Sequence, residues 1–243
     1  MRPLAGDFNR DGMTDIALVG GAGWTTLPVA FSFGNGAFQI TNNTVKGWIA
    51  GGEGTQWNFA VSSREPGVQV VTGDFNKDGM TDLALVGGDW GSIRVAMSIG
   101  GGQFGGYDEL LPGFPDWARA PGVKVLTGDF NGDGATDIAL VGGPGWATIP
   151  VATSYANPGF LVTNLPCGQI NGLASMSYVR AVVGDFNGDH IDDIALVGGV
   201  GWTSIPLALG FGNGVFIPVV LPTQRFPAWA TDPSASVFAG HDN

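Results

Sequence analysis

Gly128-Asp129-Phe130-Asn131-Gly132-Asp133-Gly134-Ala135-Thr136-Asp137 is the stretch that decides the fold. Counted from Asp129, acidic residues or Asn stand at positions 1, 3, 5 and 9, and the apolar run Ile138-Ala139-Leu140-Val141 follows at once. Short polar residues and glycine favour a tight turn, and a β-branched run bounded by turn residues favours a strand. The same phrase begins at Gly6, Gly73 and Gly184, so successive starts lie 67, 55 and 56 residues apart. A faded fifth start, Gly240-His241-Asp242-Asn243, comes 56 residues after the fourth. The first repeat is longer, and the extra residues are assigned to Gly51–Glu65.

Outward from the loop the grammar is constant. An extended run leads in, as at Val123-Lys124-Val125-Leu126-Thr127. After the loop and the apolar run comes a Gly-Gly-x-Gly-Trp turn, then Thr148-Ile149-Pro150-Val151-Ala152-Thr153, a Gly/Asn turn and a fourth run near Phe160-Leu161-Val162. Four short strands in a repeat of this length mark a propeller blade, whereas β-solenoid repeats are usually much shorter. The expected fold is all-β, a β-propeller built from four-stranded antiparallel blades. The blade repeats are about 1–67, 68–122, 123–178 and 179–235, with a partial fifth strand over 236–243. Three arrangements fit this count: a four-bladed ring with a redundant strand, a piece of a longer propeller, or a subunit that closes with another copy.

The loop has the donors of a hard cation. Calcium takes six to eight oxygens, and alternate positions in a tight loop aim theirs at one centre. The candidate side-chain ligands are Asp7, Asn9, Asp11 and Asp15; Asp74, Asn76, Asp78 and Asp82; Asp129, Asn131, Asp133 and Asp137; and Asp185, Asn187, Asp189 and Asp193. Position 7 would give a backbone carbonyl, from Met13, Met80, Ala135 and Ile191. Position 6 is Gly12, Gly79 and Gly134 where a positive φ is expected, but His190 in the fourth copy, which is therefore expected to be the weakest site. A zinc role for His190 lacks a thiol or second histidine nearby. An EF-hand is excluded: its position 12 Glu is replaced by Leu18, Leu85, Leu140 and Leu196, and the flanking residues read as strands.

Composition agrees. Of 243 residues 44% are hydrophobic and 13% charged, with 42 Gly and 15 Pro, which is a globular, turn-rich chain. The net charge of −11 argues against binding a phosphate backbone. The four loops hold 12 of the 21 acidic residues, and about four calcium ions would bring −11 to −3. Calcium is thus expected to be coupled to folding. Cys167 is the single cysteine, so there is no intramolecular disulfide. No apolar run reaches the length of a membrane span, and Met1-Arg2-Pro3-Leu4-Ala5 is too short for a signal peptide.

The phrase Gly-Asp-Phe-Asn-x-Asp-Gly-x-x-Asp, with Phe33-Gly34-Asn35-Gly36 and Phe211-Gly212-Asn213-Gly214 after the third strand, resembles the FG-GAP or VCBS repeat of integrin α-chain propellers. That resemblance implies calcium between the first two strands of each blade and an extracellular or cell-surface setting. The phrase Gly-Trp-x-Thr/Ser-Ile/Leu-Pro-Val/Leu-Ala is similar, more weakly, to calcium-dependent fungal lectins of the oyster-mushroom type.

In an up-and-down blade the metal loop and the Phe-Gly-Asn-Gly turn share one end, and the Gly-Trp turn and the inter-blade connection share the other. Trp24, Trp90, Trp146 and Trp202 fall in the Gly-Trp turn; Trp48, Trp117 and Trp229 fall in the connection; Trp57 falls in the insertion. Exposed indoles would offer platforms for sugar rings, although recurring tryptophans also pack between blades. The second series is the better candidate, because Leu173 takes its place in the third repeat. The expected function is a calcium-stabilised, carbohydrate-binding lectin that is not an enzyme. Its partners would be glycans, with a possible homo-oligomer. The alternatives are a protein-binding adhesion module or the non-catalytic part of a secreted enzyme. No nucleophile–base arrangement accompanies His190 and His241. Asp108, Glu109 and Asp116 are expected to be solvated loop acids.

Overall fold

Each Asp-rich loop joins two antiparallel strands of five residues, because its turn residues reverse the chain and the apolar run behind it needs a partner to hydrogen-bond. The computed structural model describes residues 1–48, 56–155, 159–223, 226–232 and 235–236. In the first repeat β1 (Arg2–Gly6), β2 (Asp15–Val19), β3 (Leu27–Ser32) and β4 (Phe38–Asn43) form one sheet in chain order. The second repeat gives β7 (Gln69–Gly73), β8 (Asp82–Val86), β9 (Ser92–Ser98) and β10 (Phe104–Leu110) after an extra hairpin, β5 (Lys46–Trp48) and β6 (Gln56–Asn58). The third gives β11 (Lys124–Gly128), β12 (Asp137–Val141), β13 (Thr148–Ser154) and β14 (Phe160–Pro166). The fourth gives β15 (Arg180–Gly184), β16 (Asp193–Val197), β17 (Ser204–Gly210) and β18 (Phe216–Pro222). Loop register is identical in all four, with Gly6 opposite Asp15, Gly73 opposite Asp82, Gly128 opposite Asp137 and Gly184 opposite Asp193. These are the four-stranded antiparallel blades of a β-propeller.

Two differences from the sequence reading concern the connections. Lys46–Trp48 pairs with Gln56–Asn58, so the extra residues of the first repeat begin ahead of the assigned Gly51–Glu65 stretch, of which residues 51–55 lie outside the described residues and Phe59 onward is ordinary connection. Each connection also contains a short helix: α1 (Phe59–Ser62), α2 (Phe114–Ala118), α3 (Ile170–Ala174) and α4 (Phe226–Ala230). Asn58 caps α1 by accepting the Val61 N–H at 3.0 Å, and proline opens α2. Helices of four or five residues leave no 3.6-residue periodicity to detect. Of the expected partial strand 236–243, residues 237–243 lie outside the described residues, and Ser236 is not in a strand.

By its contacts the chain divides into two compact units, Met1–Arg119 with Ser154–Phe160, and Ala120–Thr153 with Leu161–Asn243. In the first, Ala17, Val19, Leu27 and Val29 of one blade pack on Leu83, Leu85 and Ala96 of the next. In the second, Ala139, Val141, Ile149 and Val151 pack on Ile194, Leu196 and Ala208 in the same register. A blade covered on both faces loses the apolar–polar alternation of a half-buried strand. β8, β12 and β16 are buried throughout and show no such alternation, whereas β3 alternates between buried and half-buried.

Candidate functional site

The four loops share one backbone. Position 6 is left-handed in every copy, at Gly12 (φ 79°), Gly79 (φ 83°), Gly134 (φ 83°) and His190 (φ 67°). Position 4 is left-handed too, at Arg10 (φ 61°), Lys77 (φ 59°), Gly132 (φ 76°) and Gly188 (φ 81°), which the sequence reading missed. Glycine in two of the four copies was the available signal. The two reversals turn the side chains of positions 1, 3 and 5 inward. In the first loop Asp7 accepts the N–H groups of Asp11 (3.2 Å) and Gly12 (2.8 Å). Asn9 accepts from Asp11 N–H at 3.1 Å and donates to Asp11 Oδ2 at 2.9 Å. Asp11 accepts from Met13 N–H at 2.9 Å. The other loops repeat the pattern, down to His190 N–H donating to Asp185 at 2.9 Å.

Position 9 behaves differently. Asp15, Asp82, Asp137 and Asp193 are fully buried. Asp15 accepts Phe8 N–H at 3.0 Å and Ser32 N–H at 2.8 Å; Asp82 accepts Phe75 N–H at 3.1 Å and Ser98 N–H at 2.7 Å; Asp193 accepts Phe186 N–H at 2.9 Å and Gly210 N–H at 2.7 Å. Asp137 accepts Phe130 N–H at 3.0 Å. Asp15, Asp82 and Asp193 thereby tie the loop to the end of the third strand. Burial pushes the Asp82 carboxyl up to about 8, and Asp15 and Asp193 also upward, against the pull of their two N–H donors. Asp185 goes the other way, its carboxyl lowered by the His190 N–H first and by further loop amides.

Among the described residues no three acidic, histidine or cysteine side chains already converge as a metal cage. The donor set nevertheless suits calcium. Positions 1, 3 and 5 offer oxygens to one loop interior, and a carboxylate holding two N–H groups keeps lone pairs to spare. A cation beside position 9 would also oppose the effect of burial, which disfavours the ionised form.

The tryptophans separate into packing and surface groups. Trp24, Trp90, Trp146 and Trp202 are each half-buried, folded back on their own turn. A methyl group added to Gly21, Gly88, Gly143 or Gly199 would overlap the indole that follows it, which explains the paired glycines. Trp90 and Trp202 rest on the two apolar cores. Trp57 is 5% exposed and belongs to the first core. In the connections, Trp117 and Trp229 occupy the same position of α2 and α4, where α3 has Leu173. Trp117 is half-buried, edge-on to Phe114 at 6.5 Å, while Trp229 is 66% exposed. Trp48 does not belong with them. It lies in β5 opposite Gln56, and the equivalent α1 position is Ser62.

Two residues after Trp117 in the chain, Arg119 donates to Asp89 at 2.8 Å and to Asp116 at 2.6 Å. In the second unit a cleft of about 250 Å³ is lined by Tyr178, Val179, Arg180 and Thr231, directly after α4. Arg180 donates to the Ala230 carbonyl at 2.8 Å, and Tyr178 is 69% exposed.

One cluster was misread. Asp108 is no solvated loop acid: it sits on β10 directly opposite Arg94 of β9, with its side chain 2% exposed and 3.5 Å from Arg94 Nε. Arg94 lies 3.9 Å from the Trp90 ring centroid and 5.4 Å from that of Trp57, and donates to Ser62 Oγ at 2.9 Å. Burial raises the Asp108 carboxyl despite Ser92 and Arg94. Glu109, the next residue on β10, accepts the Tyr107 hydroxyl, and Asp116 lies in α2. The other blades carry Pro28, Pro150 and Pro206 at the Arg94 position, so the departure was visible in the sequence.

Residues 74–140 match the model of the FG-GAP-like repeat, bearing out the resemblance read from the loop phrase. No curated protein matches the chain. Among solved structures the chain is similar to one described as the structural basis of specific recognition of non-reducing terminal N-acetylglucosamine by an Agrocybe aegerita lectin. The identity is 20%, the TM-score 0.63, and the alignment covers 96% of this chain and 54% of that one. The chain therefore spans about half the length of that structure, and the likeness concerns the fold. Among the described residues no helix is long and apolar enough to cross a membrane.

Proposed function

We propose that the protein is a carbohydrate-binding, non-enzymatic lectin of the extracellular space, with glycan sites at the end of the blades opposite the Asp-rich loops. The observation that carries this reading is the placement of Trp117 and Trp229. Both stand at one position of the inter-blade helices, one beside the Asp89–Arg119–Asp116 cluster and the other on the helix next to the Tyr178–Arg180 cleft. An indole face with charged hydrogen-bonding groups around it is the combination that a sugar's apolar face and hydroxyls require. Repeated weak sites would act through avidity. A glycan array read with and without calcium tests this. Specific sugar binding lost in Trp117→Ala and Trp229→Ala supports the lectin. Absence of glycan binding, with a protein ligand recovered instead, supports the adhesion module.

Calcium in this reading is structural. Asp7, Asn9, Asp11, Asp15 and the Met13 carbonyl would hold the first ion, and the matching residues the other three. The ion supplies a cross-link between the loop and the strand behind it. Position 9 orients that strand through its N–H partners, and positions 1, 3 and 5 close the loop. Excess chelator should lower the melting temperature sharply; an unchanged melt would remove calcium from the account.

A further inference from the structure

The turn between the third and fourth strands of every blade leaves one large side chain in solvent. Phe33, Ile99, Tyr155 and Phe211 stand at one position, and each donates its N–H to the carbonyl of the residue four onward, Ala37, Gln103, Gly159 and Val215. They are between 49% and 70% exposed. The position lies at the same blade end as the Asp-rich loops, since the strands of each sheet run in chain order, up and down. A single exposed apolar residue is ordinary on a protein surface. In the first blade, however, a cleft accompanies it.

That cleft, of about 100 Å³, is lined by Asn9, Phe31, Phe33, Gln39, Thr41 and Gly101, all within the first compact unit. A missing side chain at the tip of one turn leaves room for it. The second blade has Gly100-Gly101-Gly102 where the first and fourth have Gly34-Asn35-Gly36 and Gly212-Asn213-Gly214. Gly101 has φ 60°, close to the 53° of Asn213, and a Cβ there would meet nothing within 4 Å. The next residue is held firmly. Asn43 donates to the Gly102 carbonyl at 2.8 Å, and a Cβ on Gly102 would lie 2.4 Å from Thr41 Oγ1. Thr41 Oγ1 is itself buried and has no hydrogen-bond partner among the described residues. A buried hydroxyl left in that state calls for a water or a ligand group.

We propose that this cleft binds the edge of a single neutral sugar ring, with Phe33 as its platform and Asn9, Gln39 and Thr41 as its hydrogen-bonding groups. The proposal extends the lectin reading to the loop end of the blades and does not depend on Trp117 or Trp229. The lining decides the class of ligand: two aromatic rings, two carboxamides and a hydroxyl, with no cation and no carboxylate among them. An aromatic face takes the apolar C–H face of a pyranose, and amides and hydroxyls pair with its hydroxyls. A charged ligand finds no counter-charge in this lining. Pockets for drug-sized ligands run to roughly 300–1,000 Å³, so this cleft admits one edge of one ring. Asn9 is also position 3 of the first Asp-rich loop, bonded to Asp11 at 2.9 Å, so that loop forms one wall of the site.

The test is an NMR titration of the isotope-labelled full chain, in calcium-containing buffer, with methyl glycosides: neutral hexosides and N-acetylhexosaminides, a uronate and a free amino sugar. The best neutral member should shift the amide signals of Gly101 and Gly102 saturably, and the two charged ones should bind about tenfold more weakly. Gly101→Asn gives the turn the residue found in the other blades. It should weaken the neutral glycoside about tenfold with the melting temperature unchanged, and Phe33→Ala, at an exposed position, should do the same. The indole signals of Trp117 and Trp229 report the other blade end in the same spectra. Shifts at the two glycines without shifts at the indoles support this cleft and remove the tryptophan site. Shifts confined to the indoles overturn the cleft and leave the tryptophan site standing. Equal binding by Gly101→Asn and the parent chain, charged glycosides that bind as tightly as neutral ones, or no shift with any glycoside also overturns the proposal.

Discussion

Asp82 accepts the backbone N–H of Ser98 at 2.7 Å, sixteen residues onward, and so links the loop that opens the blade to the end of its third strand. The same carboxylate holds Phe75 N–H at 3.1 Å with its other oxygen. Asp82→Asn keeps one acceptor and turns an NH2 group toward the other N–H. The expected loss is about 2–3 kcal/mol, the cost of leaving a buried donor unsatisfied. Urea unfolding in calcium-free buffer measures it, so the effect is separated from any metal. A loss seen only with calcium present would reduce Asp82 to a ligand.

His190 takes the left-handed conformation that three of the loops assign to glycine. A side chain there carries a steric cost of roughly 1 kcal/mol relative to glycine. His190→Gly should stabilise the chain by up to about that amount and tighten calcium at the fourth loop, read by calorimetric titration. Equal affinity before and after would mean that φ at position 6 does not limit the site.

The tryptophans should divide by their surroundings. Trp229→Ala, at 66% exposure, should change stability by no more than about 0.5 kcal/mol while removing glycan binding. Trp57→Ala, at 5% exposure, should cost about 3–5 kcal/mol. Thermal unfolding and array binding on the same preparations separate the roles; a large stability loss in Trp229→Ala would make it a packing residue.

The blade was legible because its grammar occurs four times, and repetition converts an ambiguous Asp/Asn/Gly turn into a register. Position 6 was legible from Gly12, Gly79 and Gly134, and position 4 was not, because Arg10 and Lys77 hide a conformation that Gly132 and Gly188 disclose. Counting strands put the Gly-Trp turns and the connections at one blade end, but it could not weigh one indole against another. That depends on whether a glycine, a core or a helix lies beneath the ring. Trp48 was grouped with Trp117 by order along the chain, and the β5–β6 hairpin shows that order and position differ wherever residues are inserted.

Cys167 is buried in the second core, and burial pushes its thiol up to about 11. The folded thiol therefore stays protonated where an unfolded one, near 8.5, ionises. Its native reaction with a thiol reagent at pH 8 should be far slower than in urea. As pH rises from about 8.5 toward 11 the unfolded state releases a proton the folded state keeps, so stability should fall across that window. Cys167→Ala should remove that part of the slope; rapid native labelling at pH 8 would contradict the burial.

Arg94 and Asp108 are directly opposed on β9 and β10, with the guanidinium held against Trp90 and near Trp57. Removing one partner leaves the other charged, buried and without its counter-ion, at a cost of roughly 3–5 kcal/mol, whereas replacing both by apolar groups is often close to neutral. Arg94→Leu should therefore destabilise strongly, and Asp108→Leu likewise. The double variant should recover most of the loss, because the aromatic rings that stack on the guanidinium also pack against an aliphatic side chain. A double-mutant cycle in urea reads the coupling directly. Additive losses would mean that the pair is held apart energetically by the tryptophans, and that the stacking on Trp90 rather than the charge of Asp108 keeps arginine in this strand.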